Sequence, residues 1–316
     1  SGVRLPRSTQ VSLMKKLDRL VEPAAGVIKT CVMNSGYIHL DPTPVPLCDP
    51  AQPGGTVEST VWAYQADGEP LCWYQFEHAR GKSPTHPDRE LKAAGFAGLL
   101  QVDGAGGLTS IGLEEQVIAL GCFSHARRPA YQAVADGDKK AEPYLAGFNR
   151  LFRLDRLAKH FKLTAEHKHW LRLEYSLPLF ELLVAMAETD RPAVPPKTPF
   201  GECLTYLLEQ QEYLQRCITI RGADLTNNAA ERSLRPLKMG VNNWQWIGHP
   251  KAGPRLANLF TLIENCRQVG ADVAAYLSDL ITRLPGQPAG KITALLPAAW
   301  KSARDEAKSS ADPPAA

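Results

Sequence analysis

Five short segments rich in β-branched and aromatic residues, with one short helical segment among them, most constrain how this chain can fold. Residues of these types favour strands. The helical segment, 87–95, ends at a glycine and separates the first three strand-like segments from the last two. The order strand, strand, strand, helix, strand, strand predicts a mixed sheet with a helix on one face. The five segments lie at 37–45, 60–66, 71–76, 98–103 and 115–123.

Helical periodicity dominates the rest of the chain. Pro23 falls inside the first helical pattern and is a point where that helix could divide. A short helix after Asn228 is expected to stop near Pro236. The other helical patterns lie at 8–34, 127–220, 254–269 and 271–284.

The composition is that of an ordinary globular protein. Hydrophobic residues make up 44% of the chain and charged residues 22%, which excludes a disordered tail protein, a collagen-like fibre and a simple coiled coil. The formal net charge of +3 permits nucleic-acid binding without requiring it. No apolar stretch approaches the roughly 18 residues of a membrane-spanning helix, and the seven cysteines are scattered. We therefore expect a cytoplasmic protein with reduced thiols and no membrane contact.

Three acidic residues occupy positions where they could form a metal site. Asp41 ends the first predicted strand, Asp103 ends the strand that follows the short helix, and Glu231 lies in the first turn of a later helix. If the two strands are parallel neighbours, Asp41 and Asp103 meet at the same end of the sheet. Convergent carboxylates suit hard cations such as Mg²⁺. Two such ions about 3.5–4 Å apart can clamp the attacking and leaving oxygens of a phosphodiester.

The same acids also have purely structural interpretations. An aspartate at the end of a strand is most often a turn former. Asn228 and Glu231 fit a helix capping box, and Glu231 can pair with Arg235 one helical turn later. The residue pattern alone leaves these alternatives open.

Four motifs, in this order, resemble the catalytic region of a bacterial transposase of the insertion sequence 66 family. They are YIHLDPTPVP, GLLQVDGAGGL, GCFSHARR and TNNAAERSLRPLKMGVNNWQWIG, of which NNAAERSLRP is the most specific. The resemblance covers about residues 8 to 301. It implies a DDE transposase with a ribonuclease-H-like fold, in which Asp41, Asp103 and Glu231 hold two Mg²⁺ or Mn²⁺ ions. The implied partners are transposon-end DNA, target DNA, a second or further copy of the chain on DNA, and accessory proteins of the same element, in the nucleoid.

The resemblance also implies a domain organisation in which a helical insertion interrupts the catalytic fold. The fold class is therefore α/β, a ribonuclease-H-like mixed sheet with a large helical insertion and a helical C-terminal region. The expected segments are an N-terminal helical lead-in (1–35), the first part of the core (36–135), the insertion (136–220), the remainder of the core carrying the glutamate (221–250), the C-terminal helical region (251–301) and a disordered tail (302–316).

A Cys-x-x-His pair and one histidine lie next to the proposed acids. Cys122 and His125 resemble an element that other DDE transposases carry after the second aspartate, which favours a role beside the site. We do not expect zinc, because a structural zinc site needs four ligands and no second pair has suitable spacing. His39 shares a strand face with Asp41 and could hydrogen-bond a metal-bound carboxylate, or it could be a satisfied core histidine.

Basic and aromatic residues near the same motifs are candidate DNA contacts. If the basic residues surround the acids, they would hold phosphates and position the duplex; otherwise they are solvated surface groups. The two tryptophans could stack on an unpaired base or pack in the core. The candidates are Arg127, Arg128, Arg232, Arg235, Lys238, Trp244 and Trp246.

The chain departs from the family pattern at a few positions. Pro42 replaces the usual glutamate after the first aspartate, aromatic residues are missing from 104–108, Thr226 replaces a common acid, and the loop QPGGTVEST lacks its usual lysines. The resemblance also implies a long N-terminal DNA-recognition region that we do not find in this sequence, as expected of either a fragment or a decayed copy. These features favour an alternative, an inactive relic or domesticated DNA-binding module that keeps the fold. A non-transposing nuclease is a third possibility.

Overall fold

The computed structural model divides the chain into two compact units, each with its own strands. We call Ser1–Phe96 with Ala230–Ala316 the sheet unit, and Ala97–Ala229 the helical unit. The helical unit contains the whole predicted insertion, 136–220, and also strands that the sequence assigned to the first part of the core. The domain organisation therefore stays a prediction. The structure describes residues 4–78, 85–104 and 116–311.

The described part of the chain follows the predicted order of strands and helices. The strands are β1 (Tyr37–Cys48), β2 (Thr56–Ala66), β3 (Cys72–Glu77), β4 (Gly98–Gln101) and β5 (Val117–Leu120). The helices are α1 (Arg7–Met33), α2 (Thr85–Ala93), α3 (Phe123–Ala135), α4 (Glu142–His160), α5 (Ala165–Leu171), α6 (Leu177–Asp190), α7 (Pro199–Glu209), α8 (Gln211–Thr219), α9 (Asn228–Trp244), α10 (Gly253–Gln268), α11 (Val273–Arg283) and α12 (Pro297–Ala311). Short 3₁₀ segments connect several of them.

Strands of both orientations occur in the two units. In the sheet unit β1 pairs with β2, and β2 with β3, both antiparallel. In the helical unit β4 and β5 are parallel. The predicted α/β class with mixed strand directions is confirmed. The seven cysteines all lie in the described ranges, and all are free thiols.

Strand β1 is longer than the sequence predicted, so Asp41 does not end a strand. It lies inside β1, opposite Ala63 of β2, and the strand continues through three prolines to Cys48. Ile247 explains why the prolines are tolerated. Its N–H donates to the carbonyl of Pro46 (2.8 Å), and its carbonyl accepts from the N–H of Cys48 (2.8 Å), on the edge away from β2. The backbone N–H and C=O groups of the even-numbered residues of β1 therefore point away from β2. The three prolines have even numbers, so they remove no hydrogen-bond donor from the ladder between β1 and β2.

Two helices run through a proline that was expected to end or divide them. Helix α1 continues past Pro23, and α9 continues past Pro236 to Trp244. A proline inside a helix removes one backbone hydrogen bond. Tertiary packing outweighs this loss, because each helix has buried side chains on both sides of its proline. These residues are Val21, Ala24, Ala25 and Ile28 in α1, and Ser233, Leu234 and Leu237 in α9.

Helix α10 covers the edge strand β3 with side chains that imitate a neighbouring strand. Asn265 accepts from the N–H of Cys72 (3.2 Å) and donates to its carbonyl (2.6 Å). Thr261 Oγ1 accepts from the N–H of Tyr74 (3.0 Å). An uncovered edge strand invites pairing with other chains, so these contacts satisfy and protect the edge of the sheet.

The helical unit is organised by a buried ion pair at a π-helical turn, Arg172–Ser176. Arg172 donates to Asp155 Oδ1 through Nη2 (2.6 Å) and Nε (3.0 Å). Its Nη1 donates to the carbonyls of Cys217 (3.1 Å) and Ala223. One side chain thus joins the turn to α4, to α8 and to the segment before α9. Irregular turns of this kind persist when such contacts satisfy their backbone and side chains.

The C-terminal segment is helical where the sequence predicted a disordered tail. Helix α12 continues to Ala311, so the prediction is wrong over 302–311, and 312–316 lie outside the described residues. Trp300 anchors the helix. Its ring packs edge-on against Tyr276 with a centroid distance of 5.4 Å, and its Nε1 donates to Asp279 (2.8 Å). Lys301 and Asp305 add an ion pair one turn apart.

Among the described residues, no helix is both long enough and apolar enough to cross a membrane.

We predict that Arg172→Met destabilises the protein by about 3 kcal/mol, because it leaves the buried carboxylate of Asp155 without its main partner. Arg221→Met is the matched control, since Arg221 is 62% exposed and its pair with Glu166 (3.6 Å) is open to solvent. Urea unfolding measures both variants. Equal midpoints for the two would contradict the structural role of Arg172.

The same pair predicts a dependence of stability on pH. Burial alone would raise the pKa of Asp155, but the charges of Arg172 and Lys168 outweigh it and lower this pKa below its ordinary value. Because the folded pKa is the lower one, the contribution is present above the unfolded pKa of about 3.9 and is lost as the pH falls through the folded value. Below about pH 4, the free energy of unfolding should therefore fall more steeply in the wild type than in Arg172→Met. Parallel curves would contradict this.

Candidate active site

Asp41 is held inside the sheet unit by the strand that carries it. Residues 38–43 of β1 are buried on both faces, and Asp41 is 6% exposed. A carboxylate so removed from water is costly unless charges, hydrogen bonds or a cation compensate it. An aspartate that only forms a surface turn would be exposed to solvent. The burial of Asp41 instead suits a carboxylate that holds a cation.

His39 has a carboxylate partner, and the partner is Asp67. Nε2 of His39 lies 3.0 Å from Asp67 Oδ1, and its ring stacks on Tyr37 with a centroid distance of 4.9 Å. The side chain is fully buried. These contacts fit the core-histidine interpretation, in which the pair with Asp67 orients the ring. A hydrogen bond from His39 to Asp41 stays a prediction.

Glu231 lies in the first turn of α9, where a negative charge is favoured by the helix dipole. The helix begins at Asn228, so the flanking position is occupied by Asn227 rather than by the Asn228 that the capping-box interpretation requires. Glu231 is half-buried. Its position on a fixed helix end gives the carboxylate a defined direction.

A buried hydrogen-bond network fixes the first turns of α9 on the sheet. Ser233 Oγ donates to Gln65 Oε1 (2.7 Å), which also accepts from Gln268 (2.7 Å). The hydroxyl of Tyr74 donates to the carbonyl of Ser233 (2.5 Å). These residues were missed in the sequence. The available signal was the spacing of Ala230, Ser233 and Leu237, which places a serine on the buried face of an otherwise apolar helix stripe.

Asp103 lies just after β4 in the helical unit and is 6% exposed. The hydroxyl of Tyr206 donates to its backbone carbonyl (2.6 Å). Burial, with the nearby Cys122 and Asp103, raises the pKa of Tyr206 above its ordinary value, so this hydroxyl stays a donor. His125 Nε2 lies 3.9 Å from Asp103 Oδ2. The structure therefore brings two of the sequence-predicted residues, Asp103 and His125, side by side.

Cys122 occupies a structural position at the start of α3. The residue is fully buried, and its sulfur accepts the backbone N–H of Asn227 (3.2 Å). The backbone N–H of Phe123, the residue after Cys122, donates to the carbonyl of Leu225 (2.9 Å). Together these bonds attach the helix that carries His125 to the segment that leads into α9.

The candidate DNA contacts fall into two groups, one in each unit. On α9, Arg232, Arg235 and Lys238 follow one another at intervals of three and are exposed, on the side away from the core. On α3, Arg128 is exposed, whereas Arg127 is half-buried and donates to Asn149 (2.8 Å). Contact of these residues with DNA stays a prediction.

The two tryptophans have different environments. Trp244 is half-buried and packs against the apolar cluster that includes Leu234 and Leu237, whereas Trp246 is 50% exposed. Gln245 between them has a positive φ of 66° and turns the chain. Core packing accounts for Trp244, and only Trp246 is available for stacking on a base.

The three acids are thus each described within a compact unit. Asp41 and Glu231 belong to the sheet unit and Asp103 to the helical unit. Convergence of the three carboxylates stays a prediction. Residues 105–108, where the sequence lacks the family's usual aromatics, lie outside the described residues.

Comparison with known protein families identifies the family of this chain. The model of the Transposase IS66 family matches residues 1–255, and that of the IS66 C-terminal element matches residues 261–298. The chain belongs to the IS66 transposase family. The match spans all three acids and both groups of candidate DNA contacts.

Relatives of this transposase-family chain occur in Sinorhizobium fredii (strain NBRC 101917 / NGR234). The protein named Uncharacterized protein y4qI is 29% identical over 312 residues, which cover 94% of this chain and 57% of the relative. Uncharacterized protein y4hP is 27% identical over 327 residues, covering 96% and 57%. The chain therefore spans 57% of the length of these relatives. No solved structure matches it.

We predict that Tyr74→Phe loosens the helix that carries Glu231. The change removes the hydrogen bond that the Tyr74 hydroxyl donates to the carbonyl of Ser233 and should cost about 1 kcal/mol. Hydrogen exchange measured by mass spectrometry should accelerate in α9 and stay unchanged in α4. Tyr131→Phe, at a side chain that is 56% exposed, is the control. Unchanged exchange in α9 would show that the network does not hold this helix.

Proposed function

We propose that this chain is the catalytic part of a DDE-type transposase, which cuts DNA strands at the ends of a mobile element and joins them to target DNA. The observation that carries the proposal is the family match over residues 1–255, a range that includes the proposed catalytic acids Asp41, Asp103 and Glu231. The proposed fold is ribonuclease-H-like. The α/β class and the mixed strand directions are consistent with it.

The donor chemistry of the three acids fits divalent cations. All three are carboxylates, the oxygen ligands that Mg²⁺ and Mn²⁺ prefer. Asp41 and Asp103 are each 6% exposed, and a bound cation is one of the partners that offset the cost of burying a carboxylate. When bound, two ions would activate the attacking oxygen and stabilise charge on the leaving oxygen. Zinc is not part of the proposal, since a structural zinc site needs four ligands and the sequence has no second pair of suitable spacing beside Cys122 and His125.

The chain's own side chains would orient the carboxylates and the DNA. His125, whose Nε2 lies 3.9 Å from Asp103 Oδ2, would orient that carboxylate. Arg232, Arg235 and Lys238 follow Glu231 on an exposed helix face and would hold phosphates close to it. Rate enhancement would come mainly from alignment of the strand ends and from charge stabilisation.

The proposed partners are transposon-end DNA, target DNA, a second copy of the chain on DNA, and accessory proteins of the same element. Because the chain spans 57% of its relatives, these partners and the complete reaction are proposed for the whole protein. Joining of a labelled 3′-hydroxyl end to plasmid DNA would distinguish a transposase from a nuclease that only cuts.

An inactive relic that keeps the fold is the second candidate. Pro42, directly after Asp41, replaces the family's usual acid, and that observation favours it. The structure accommodates this proline without loss of a bond to β2. The presence of all three acids favours the active enzyme.

We predict that the protein binds Mn²⁺ and that Asp103→Asn weakens this binding at least tenfold. Isothermal titration calorimetry measures it, without DNA and with a short duplex, since phosphate oxygens can complete the ligand set of such sites. Asp305→Asn, at a side chain that is 53% exposed, is the control and should bind like the wild type. Absence of Mn²⁺ binding with the duplex present would contradict the active enzyme and support the relic.

A further inference from the structure

The solvent face of α4 is a row of arginines. Its buried side contains Tyr144, Phe148, Leu151 and Ala158. On the opposite side lie Arg150, Arg153 and Arg156, all exposed and spaced three residues apart. Side chains at this spacing are neighbours on a helix. We call these three residues the α4 arginine face.

This face is not neutralised within its surroundings. The segment 142–163 has five Lys and Arg residues against the acids Glu142 and Asp155, and this excess of three equals the net charge of the whole chain. Asp155 lies on the buried side and is held by Arg172. Over the ranges that the structure describes, none of the three arginines forms an ion pair. Their mutual repulsion is a cost that a structural role does not explain.

The α4 arginine face continues onto α3 within the same unit. Arg127 of α3 donates from Nε to Asn149 Oδ1 (2.8 Å), the residue directly before Arg150, and lies over the ring of Tyr131. Arg128, the next residue, is exposed. The bond between Arg127 and Asn149 therefore joins the basic start of α3 to the row on α4.

We propose that the α4 arginine face binds the sugar–phosphate backbone of duplex DNA, as a surface additional to the basic residues of α9. The choice of DNA among polyanions rests on the proposed function. From Arg150 to Arg156 the helix rises about 9 Å, a length over which one DNA strand carries two to three phosphates at about 3.4 Å each. The planar fork of a guanidinium matches phosphate oxygens.

Backbone contacts of this kind hold DNA without reading its sequence. The helical unit would thus keep the duplex on the protein while the bases at the element end are recognised by other parts. An acidic polypeptide is the competing occupant. It fits less well, because a regular row of like charges matches the regular spacing of phosphates.

The test is duplex binding by the full chain, measured as fluorescence anisotropy of a labelled 30-base-pair duplex of random sequence over a range of salt concentrations. The triple variant Arg150→Gln, Arg153→Gln, Arg156→Gln should bind at least tenfold more weakly at low salt. The slope of log affinity against log salt should decrease by about 2 to 3, because each lost phosphate contact removes about 0.9. Unchanged affinity and slope would overturn the proposal, as would absence of duplex binding by the wild type.

Two further variants make the result specific. A control with the same charge change, Arg89→Gln, Arg267→Gln, Arg283→Gln, alters side chains that are 61%, 59% and 50% exposed in the sheet unit. It should change affinity less than threefold. The triple Arg→Lys variant of the α4 arginine face keeps the charge and should retain most of the binding. Equal losses in the control and the glutamine variant would contradict the proposal.

Two comparisons separate this inference from its alternatives. Duplex binding is measured with EDTA present, so that it does not depend on the proposed metal site, and a failure of the catalytic proposal would appear in metal binding and not in this assay. Polyglutamate should displace the protein from DNA far less well than unlabelled duplex of equal charge. Equal displacement would identify an acidic polypeptide as the occupant and overturn the inference.

Discussion

The docking of α9 on the antiparallel strands is the constraint on which the proposed site most depends. The hydroxyl of Tyr74 and the side chain of Gln65 bond to Ser233 from the sheet, while Leu234 and Leu237 enter the apolar cluster beside them. Glu231 lies two residues earlier on the same rigid helix. A polar network that is buried and satisfied fixes one arrangement of a helix more narrowly than apolar contacts alone. It therefore gives the glutamate and the basic face of α9 a defined orientation.

In the helical unit, other buried polar side chains fix the positions of the helices. Arg172 connects α4, α8 and the segment before α9 through one guanidinium, and Tyr206 holds the backbone of Asp103. Cys122 then attaches α3 to that same segment. Tyr206 thus fixes the backbone of Asp103, and Cys122 fixes the helix that carries His125. The helical unit also leaves the arginine-rich face of α4 in solvent, which a purely structural role would not require.

The order of the elements could be predicted from the sequence, because β-branched and aromatic clusters and helical spacing are local signals. The length of β1 could not, since it depends on the bond partners that Ile247 supplies to Pro46 and Cys48 from far along the chain. Contacts with residues distant in the sequence also explain why α9 continues past Pro236 and why residues 302–311 belong to helix α12. Local sequence signals do not contain these contacts. In the site, the acids could be found by resemblance to a family. Gln65, Tyr74 and Ser233 could not, because their role exists only after α9 has docked.

The central claim is that Asp41, Asp103 and Glu231 surround the same metal ions. Hydroxyl-radical cleavage of the polypeptide by Fe²⁺ that replaces Mg²⁺ tests it most directly, since the radicals cut the chain only close to the ion. With the fragments identified by mass spectrometry, we predict cuts near all three acids, suppressed by excess Mg²⁺. Cuts near only one acid, or cuts that Mg²⁺ does not suppress, would contradict a shared site.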